Sequence, residues 1–500
     1  MTKISKLTES EYTPLMQVLF GRSSPAPPEP SAFKDMKFLD PSLNESQKYA
    51  IRFALTASKI ALIHGPPGTG KTHTLIELIL QMLKQNLRIL VCGPSNISVD
   101  NIVERLAPHK VPILRLGHPA RLLPSVLNHS LEVLTRASEA AAIVQDVRKE
   151  MDDKQASIKK TRNGRERRAI YGDLKGLRKE YREREGNLVD NLIRSSKVVL
   201  ATLHGAGGFQ LRNQQFDVVI IDEASQALEA QCWIPLLSAR KVVLAGDHLQ
   251  LPPTIKSLNA KTRSETKTTA ASLDEELQKL GLTDEEKKAA RSIELELTLF
   301  DRLLGLHGPS IKTLLTTQYR MHDKIMRFPS DELYESKLVA ADSVKARLLT
   351  DLPYEVQDTE DTREPLVFYD TQGGDFPEKT EEPLGARRSA ILGESKSNEM
   401  EVAVVQMHVG KLTEAGVRAE DMAVITPYNA QLAALSSVLK ERYPGIELGS
   451  VDGFQGREKE AVIVSLVRSN PDKEVGFLGE KRRLNGERTR PRTLWQDWQN

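Results

Sequence analysis

Gly65-Pro66-Pro67-Gly68-Thr69-Gly70-Lys71-Thr72 is the stretch that decides the fold. It fits the spacing G-x-x-x-x-G-K-[ST], follows the apolar run Ile60–Ile63 and opens the helical pattern from Thr74 to Leu80. Strand, glycine loop and helix in that order form a phosphate cradle. The glycines let backbone N–H groups converge on phosphate oxygens, and the helix N-terminus adds partial positive charge. In such a loop the ammonium of Lys71 reaches the β and γ phosphates, and the hydroxyl of Thr72 is a ligand for Mg²⁺. The whole octapeptide is therefore expected to bind a nucleoside triphosphate.

The rest of the composition is permissive. A chain of 500 residues with 39% hydrophobic and 28% charged residues is that of an ordinary globular protein of two or three domains. The formal net charge is only +2, so a nucleic-acid partner would have to be met by a local basic patch. The cysteines, Cys92 and Cys232, lie in apolar segments and form neither a disulfide framework nor a zinc site. No apolar run resembles a signal peptide or approaches the roughly 18 residues of a membrane span. The expected setting is a reducing compartment, cytosol or nucleus, with no membrane partner.

Around the glycine loop, residues 43–253 alternate β-type runs with helical segments. The runs are Ile60–Ile63, Arg88–Cys92, Lys197–Ala201, Asp217–Ile221 and Lys241–Ala245. Short buried strands alternating with helices predict an α/β fold with a parallel sheet covered on both faces. Two insertions interrupt it. Residues 118–195 read as helical and basic, with 14 Lys/Arg against 7 Asp/Glu between Arg148 and Arg184. That excess suits a phosphate backbone as well as it suits a solvated helical pair. Residues 254–294 read as a mobile insertion. A second α/β pattern, without a glycine loop, runs through Ile311–Leu315, Leu366–Tyr369, Met422–Thr426 and Ala461–Val467, and the acidic stretch 357–394 reads as a surface loop. The domain expectation is an N-terminal helix with linker (1–40), a first sheet domain (41–310) and a second (311–500).

Chemistry gathers at the strand ends. Asp217–Ile221 runs into Asp222-Glu223, whose side chains diverge from adjacent strand positions. Asp222 is placed to hold Mg²⁺ and Glu223 to polarise the attacking water as general base. Gln250, beyond the strand Lys241–Ala245, is a neutral amide able to hydrogen-bond the γ-phosphate or that water. In Gln318-Tyr319-Arg320-Met321-His322, Arg320 can neutralise charge developing on the γ-phosphoryl group and Tyr319 offers a face for adenine.

These segments, with Ser450-Val-Asp-Gly-Phe-Gln-Gly456-Arg-Glu458, occur in the order of the superfamily 1 helicases and resemble the branch that moves 5′ to 3′. Gly93–Asp100, Leu114–Arg121, Ala230–Leu236 and Glu474–Gly479 are similar, more narrowly, to the family of the fungal DNA polymerase α-associated helicase and the immunoglobulin-μ-binding helicase of animals. The likeness runs from about Met16 to Asn485.

The resemblance implies two RecA-like domains in tandem, with a helical insertion in the first, using ATP and Mg²⁺ to move 5′ to 3′ on single-stranded DNA. RNA is the alternative substrate. It further implies a monomer of nucleus and cytoplasm that could meet the replication machinery. It makes Gln47 an adenine-reading residue, Tyr319 the adenine stack, Arg320 a γ-phosphate contact, and Gly456 and Glu458 contacts to the triphosphate and ribose. Ser95, Asn96, Thr202, Thr426, Pro427 and Tyr428 fall in segments that line the nucleic-acid track, and the basic insertion rests over that strand. Relatives place a β-barrel and stalk before the first sheet domain, where this chain has the helix of residues 1–20.

The stretch 486–500 departs from the family pattern. Arg490 keeps the spacing of an arginine finger, but Gly486-Glu-Arg488 replaces an apolar helix start. The closing strand and helix are expected to be absent, leaving Arg490 without a scaffold. That departure motivates the alternative of a nucleotide- and nucleic-acid-binding protein that does not unwind.

Overall fold

A computed structural model of the chain describes residues 8–33, 35–160, 163–253, 297–371, 374–381, 395–451, 453–454, 458–470 and 491–499. The first sheet consists of β1 (Ile60–His64), β2 (Ile89–Gly93), β3 (Ile113–Leu116), β4 (Val198–Thr202), β5 (Phe216–Ile221), β6 (Ala239–Gly246) and β7 (Lys312–Leu314). Their order is β3-β4-β2-β5-β6-β1-β7, parallel throughout. The strands are near-continuous apolar runs because both faces are covered. Leu62, Leu90, Val219 and Leu244 enter one apolar cluster, and their neighbours Ile63, Val91, Ile220 and Val243 enter the other.

Register brings the functional ends together. His64 stands beside Gly246, Cys92 beside Ile221, and Gly93 beside Thr202. The segments after β1, β2, β4, β5 and β6 therefore leave the same edge of the sheet, where open parallel sheets bind ligands.

Helix α1 (Pro14–Leu19), capped by Thr13, buries Leu15, Met16, Val18 and Leu19 in the first cluster. Phe20 stacks on Trp233 at 4.8 Å and on Tyr12 at 5.1 Å. The N-terminal helix thus packs as part of the first sheet domain. The basic insertion forms α5 (Leu131–Ala137), α6 (Glu139–Lys160) and α7 (Gly164–Ser195). Over the 32 residues of α7 the buried side chains are Leu174, Leu188 and Ile193, so most of this arm is solvated. The insertion expected at 254–294 lies outside the described residues. Among the described residues no helix is long and apolar enough to cross a membrane.

The run Ile311–Leu315, expected to open the second domain, instead completes the first sheet. Leu62 pairs with Lys312 and His64 with Leu314. An apolar run does not announce which sheet it joins, and the open edge of β1 accepts this one. The acidic stretch likewise contains more than loop, because β10 (Leu366–Asp370) and β11 (Lys379–Glu381) lie within it.

Short pairs join β8 (Thr317–Gln318) to β9 (Val339–Ala340) and β11 to β12 (Ser395–Ser397). The second sheet holds β10, β13 (Met422–Thr426), β14 (Glu447–Ser450), β15 (Lys459–Val464) and β16 (Pro491–Gln499) in the parallel order β10-β16-β15-β13-β14. Its faces are covered by the clusters containing Val424 and Ile463 on one side, and Ile425, Val462 and Val464 on the other.

Strand β16 corrects the expectation that the closing strand is absent. Gln496 pairs with Ile463 on one side and Val367 on the other. The backbone groups along β10 and β15 need a partner between them, and residues 491–499 supply it. Arg490, immediately before this strand, lies outside the described residues. Because β16 is interior to its sheet, Gln496→Pro removes a ladder hydrogen bond where proline is least tolerated. The expected cost is about 1–3 kcal/mol of second-domain stability from the carbonyl left unpaired, seen as a lowered thermal transition and earlier proteolysis beyond residue 316. An unchanged transition would contradict the placement of β16.

Candidate nucleotide and nucleic-acid site

Helix α2 (Glu45–Thr56), α3 (Lys71–Lys84) and α4 (Asn96–Leu106) frame the site. Gly70 caps α3 at φ 74°, and Gly68 has φ 72°. A Cβ at Gly70 would lie 2.5 Å from Gln47 Nε2, and one at Gly68 would lie 2.6 Å from Arg320 Cβ. Both positions require glycine for conformation and for close approach.

Gln47 is 3% exposed and braces the loop. It forms a capping box with Asn44, and its Nε2 donates to the Thr69 carbonyl at 3.1 Å. Its Nε2 thus serves the loop, and its Oε1 accepts from Asn44 N at the cap of α2.

At the heart of the site, Lys71 Nζ donates to Glu223 Oε1 at 2.5 Å and lies 3.4 Å from Asp222 Oδ1. Burial alone would depress Lys71, but the two carboxylates outweigh it and hold its pKa above the ordinary value. Burial pushes Glu223 above the usual carboxylate range, against the pull of Lys71 and with the added repulsion of Asp222. Glu223 also adopts φ 52°, a left-handed conformation uncommon outside glycine. That strain sits where β5 turns into a short 3₁₀ helix, and Gln226 Nε2 holds Glu223 Oε2 at 2.8 Å. The Thr72 hydroxyl and Asp222 carboxylate are the hard oxygen donors Mg²⁺ prefers, beside a pocket that already accommodates the cationic Lys71 head.

The buried Asp247, which follows β6, collects its neighbours. His64 Nε2 lies 2.8 Å from its Oδ1, while Gln250 Nε2 at 2.8 Å and Tyr334 OH at 2.7 Å both donate to its Oδ2. Burial opposes ionisation, yet His64, Tyr334 and Gln250 pull the Asp247 pKa down to about 2. Gln250, expected to face the γ-phosphate, is thus bonded to Asp247.

From the far side, Tyr319 N donates to the Gly68 carbonyl at 2.8 Å. Its ring is 43% exposed, and its hydroxyl accepts from Asn44 Nδ2 at 3.1 Å. Gln318, fully buried, accepts from the backbone N–H groups of Arg320 and Met321 and so shapes this turn. Arg320 Nε donates to Glu458 Oε2 at 2.5 Å. Tyr319 and Arg320 therefore reach the loop of the first domain, and Glu458 joins them.

Ser95 caps α4, and Asn96 Oδ1 accepts from Arg115 Nη2 at 3.0 Å. Thr202 ends β4 beside Gly93, so these three candidates share the sheet edge. The second-domain candidates divide. Thr426 is 0% and Tyr428 4% exposed, so their side chains face the interior; Pro427 between them is half-buried. Their sequence position at a strand end could not show which way they turn. Gly456 lies outside the described residues. Sequence reasoning missed His64, Asp247 and Tyr334 as a connected group. The available signal was a histidine and an aspartate closing neighbouring apolar strands.

Families of known proteins agree with this geometry. The AAA domain family matches residues 42–258, and a second AAA domain family matches residues 295–495. The chain is 49% identical over 458 residues to DNA polymerase alpha-associated DNA helicase A of Schizosaccharomyces pombe, covering 92% of this chain and 63% of that one. Identity to the protein of the same name from Saccharomyces cerevisiae is 43% over 517 residues, covering 98% and 70%. With DNA-binding protein SMUBP-2 of Rattus norvegicus it is 45% over 493 residues, covering 98% and 46%. The chain thus spans 63%, 70% and 46% of the length of these relatives. Two tandem parallel-sheet domains, with a triphosphate loop at the edge of the first, are the architecture of a superfamily 1 helicase. Within that class, the chain belongs to the DNA polymerase alpha-associated DNA helicase A family.

Two substitutions separate binding from chemistry. Lys71→Ala is expected to weaken nucleotide binding or abolish turnover in a titration and a steady-state assay, and near-normal activity would contradict the phosphate role. Glu223→Gln is expected to keep ATP binding while slowing hydrolysis by a factor of about 10² or more. Loss of ATP binding in that variant would make Glu223 a structural or metal residue.

Proposed function

We propose that the chain is an ATP-driven helicase that translocates 5′ to 3′ on single-stranded DNA. The observation that carries this reading is the convergence of Lys71, Asp222 and Glu223 with Tyr319 and Arg320 from across the loop. The names of the relatives support a DNA substrate.

The loop amides and Lys71 bind the triphosphate, with Lys71 exchanging carboxylate partners for phosphate oxygens. Thr72 and Asp222 would hold Mg²⁺, which neutralises phosphate charge when bound. Glu223, freed from Lys71, accepts a proton from the attacking water. Arg320, released from Glu458, supplies positive charge to the γ-phosphoryl group from the second domain. Tyr319 offers its exposed face to the base.

A triphosphate held from both sides draws the sheet domains together, and phosphate release lets them separate. Alternating grip at the Ser95, Asn96 and Thr202 edge and at the second domain then moves the strand. Contacts to the backbone and base faces are largely sequence-blind. We extend the reading to a monomer of nucleus and cytoplasm working beside the replication machinery.

Steady-state ATP hydrolysis with single-stranded DNA or single-stranded RNA tests the substrate. The expected result is stimulation by DNA. Stimulation by RNA alone would sink the DNA reading, and a rate no faster than that of Lys71→Ala would sink the enzyme.

A further inference from the structure

The buried carboxylate of Asp247 is where the two domains share one acceptor. Its Oδ1 faces His64, the last residue of β1 before the glycine loop, and accepts from Leu249 N at 3.1 Å. Its Oδ2 accepts from Gln250 Nε2 of the first domain at 2.8 Å and from Tyr334 OH of the second at 2.7 Å. Ser225 Oγ, two residues beyond Glu223, takes the Asp247 N–H at 3.0 Å. Asp247 therefore touches the strand that leads into the glycine loop, the turn that follows Glu223, and Gln250.

Tyr334 is placed with care. It closes the helix Asp323–Leu333, which begins immediately after the Gln318–His322 turn carrying Arg320. The chain beyond it passes through consecutive left-handed residues, Glu335 at φ 56° and Ser336 at φ 55°. Neither is glycine, so this turn stores strain of the kind found at functional positions. Ser330 holds it, accepting from Ser336 N at 2.9 Å and from Leu338 N at 3.2 Å. The Tyr334 ring packs with Met321, Ile325 and Leu338, and Leu251, the residue after Gln250, enters the same cluster. One apolar cluster thus carries both the Tyr334 donor and the residue that follows Gln250.

We propose that Tyr334 is a positioning residue for hydrolysis, which holds the Asp247 carboxylate in place from the second domain while the same oxygen orients the Gln250 amide. A carboxylate oxygen has two lone pairs, so it accepts from both donors at once. When Tyr334 engages, Asp247 keeps one Gln250 N–H and the rest of the amide is aimed at the γ-phosphate or the attacking water. When Tyr334 withdraws, the carboxylate and the amide it orients lose that brace. Hydrolysis is then tied to the approach of the second domain by a contact separate from Arg320. The inference rests on the reading of Gln250 as the amide that faces the γ-phosphate.

Tyr334→Phe keeps the ring in its apolar cluster and removes only the hydroxyl. A double-mutant cycle of Tyr334→Phe with Gln250→Ala, measured as strand-stimulated ATP hydrolysis, tests the link. The expected result is a fall of about tenfold in kcat for Tyr334→Phe, the size of one hydrogen bond to a charged group, with KM for ATP within about twofold. The double variant should be no slower than Gln250→Ala alone. Wild-type kcat in Tyr334→Phe, or a double variant slowed by the product of the single effects, overturns the inference while leaving the functional reading standing. A wild-type rate equal to that of Lys71→Ala overturns the functional reading and the inference with it. Thermal melting monitors the fold. Asp247→Asn, which keeps the shape and removes the charge, is expected to lower kcat at constant KM, and an unchanged kcat there also counts against the proposal.

Discussion

The ammonium of Lys71, wedged between Glu223 and Asp222, is the interaction on which this molecule turns. Buried charges are tolerated only when paired, and the sheet supplies the pairing by ending β1 and β5 at the same edge. On the proposed function, the same pairing holds the chemistry back. A lysine bound to carboxylates is not bound to phosphate, and a general base bound to lysine is not free to take a proton. On that function a triphosphate would resolve both at once by replacing the carboxylates as partner of Lys71. Binding would thereby release Glu223 for the role proposed for it.

The second domain repeats this logic. Arg320 is held by Glu458 and Gln250 by Asp247, each a charged or polar group engaged with a local partner close to where phosphate would enter. Gly68, tight against Arg320, and Gly70, tight against Gln47, leave no room for any other residue. The glycine loop is therefore a joint between elements as well as a cradle. Its shape depends on α2 behind it and the Gln318–Arg320 turn in front.

Much of this was legible in the chain. The apolar strand, the glycine loop and the Asp222-Glu223 pair each carry a local signature, because phosphate binding and metal binding constrain residue types at fixed spacing. The parallel first sheet followed from buried runs alternating with helices. What depends on distant partners was not legible. Ile311–Leu315 joins the edge of β1, although nothing within it distinguishes one sheet from the other. Residues 491–499 fill a slot whose demand for backbone partners comes from β10 and β15. Thr426 and Tyr428 turn inward because the second core needs them, while Gln47 shows its bracing role only once Thr69 stands beside it. The meeting of His64, Asp247 and Tyr334 joins residues from separate strands and domains, and no window of sequence contains it.

The central claim is that a triphosphate exchanges these resting partners for its own oxygens. A structure of the chain with a non-hydrolysable ATP analogue, Mg²⁺ and single-stranded DNA measures this most directly. The account predicts Lys71 and Arg320 on the γ-phosphate from opposite sides, with Glu223 parted from Lys71 and Glu458 parted from Arg320. Analogue bound while the Lys71–Glu223 and Arg320–Glu458 pairs stay intact would contradict it.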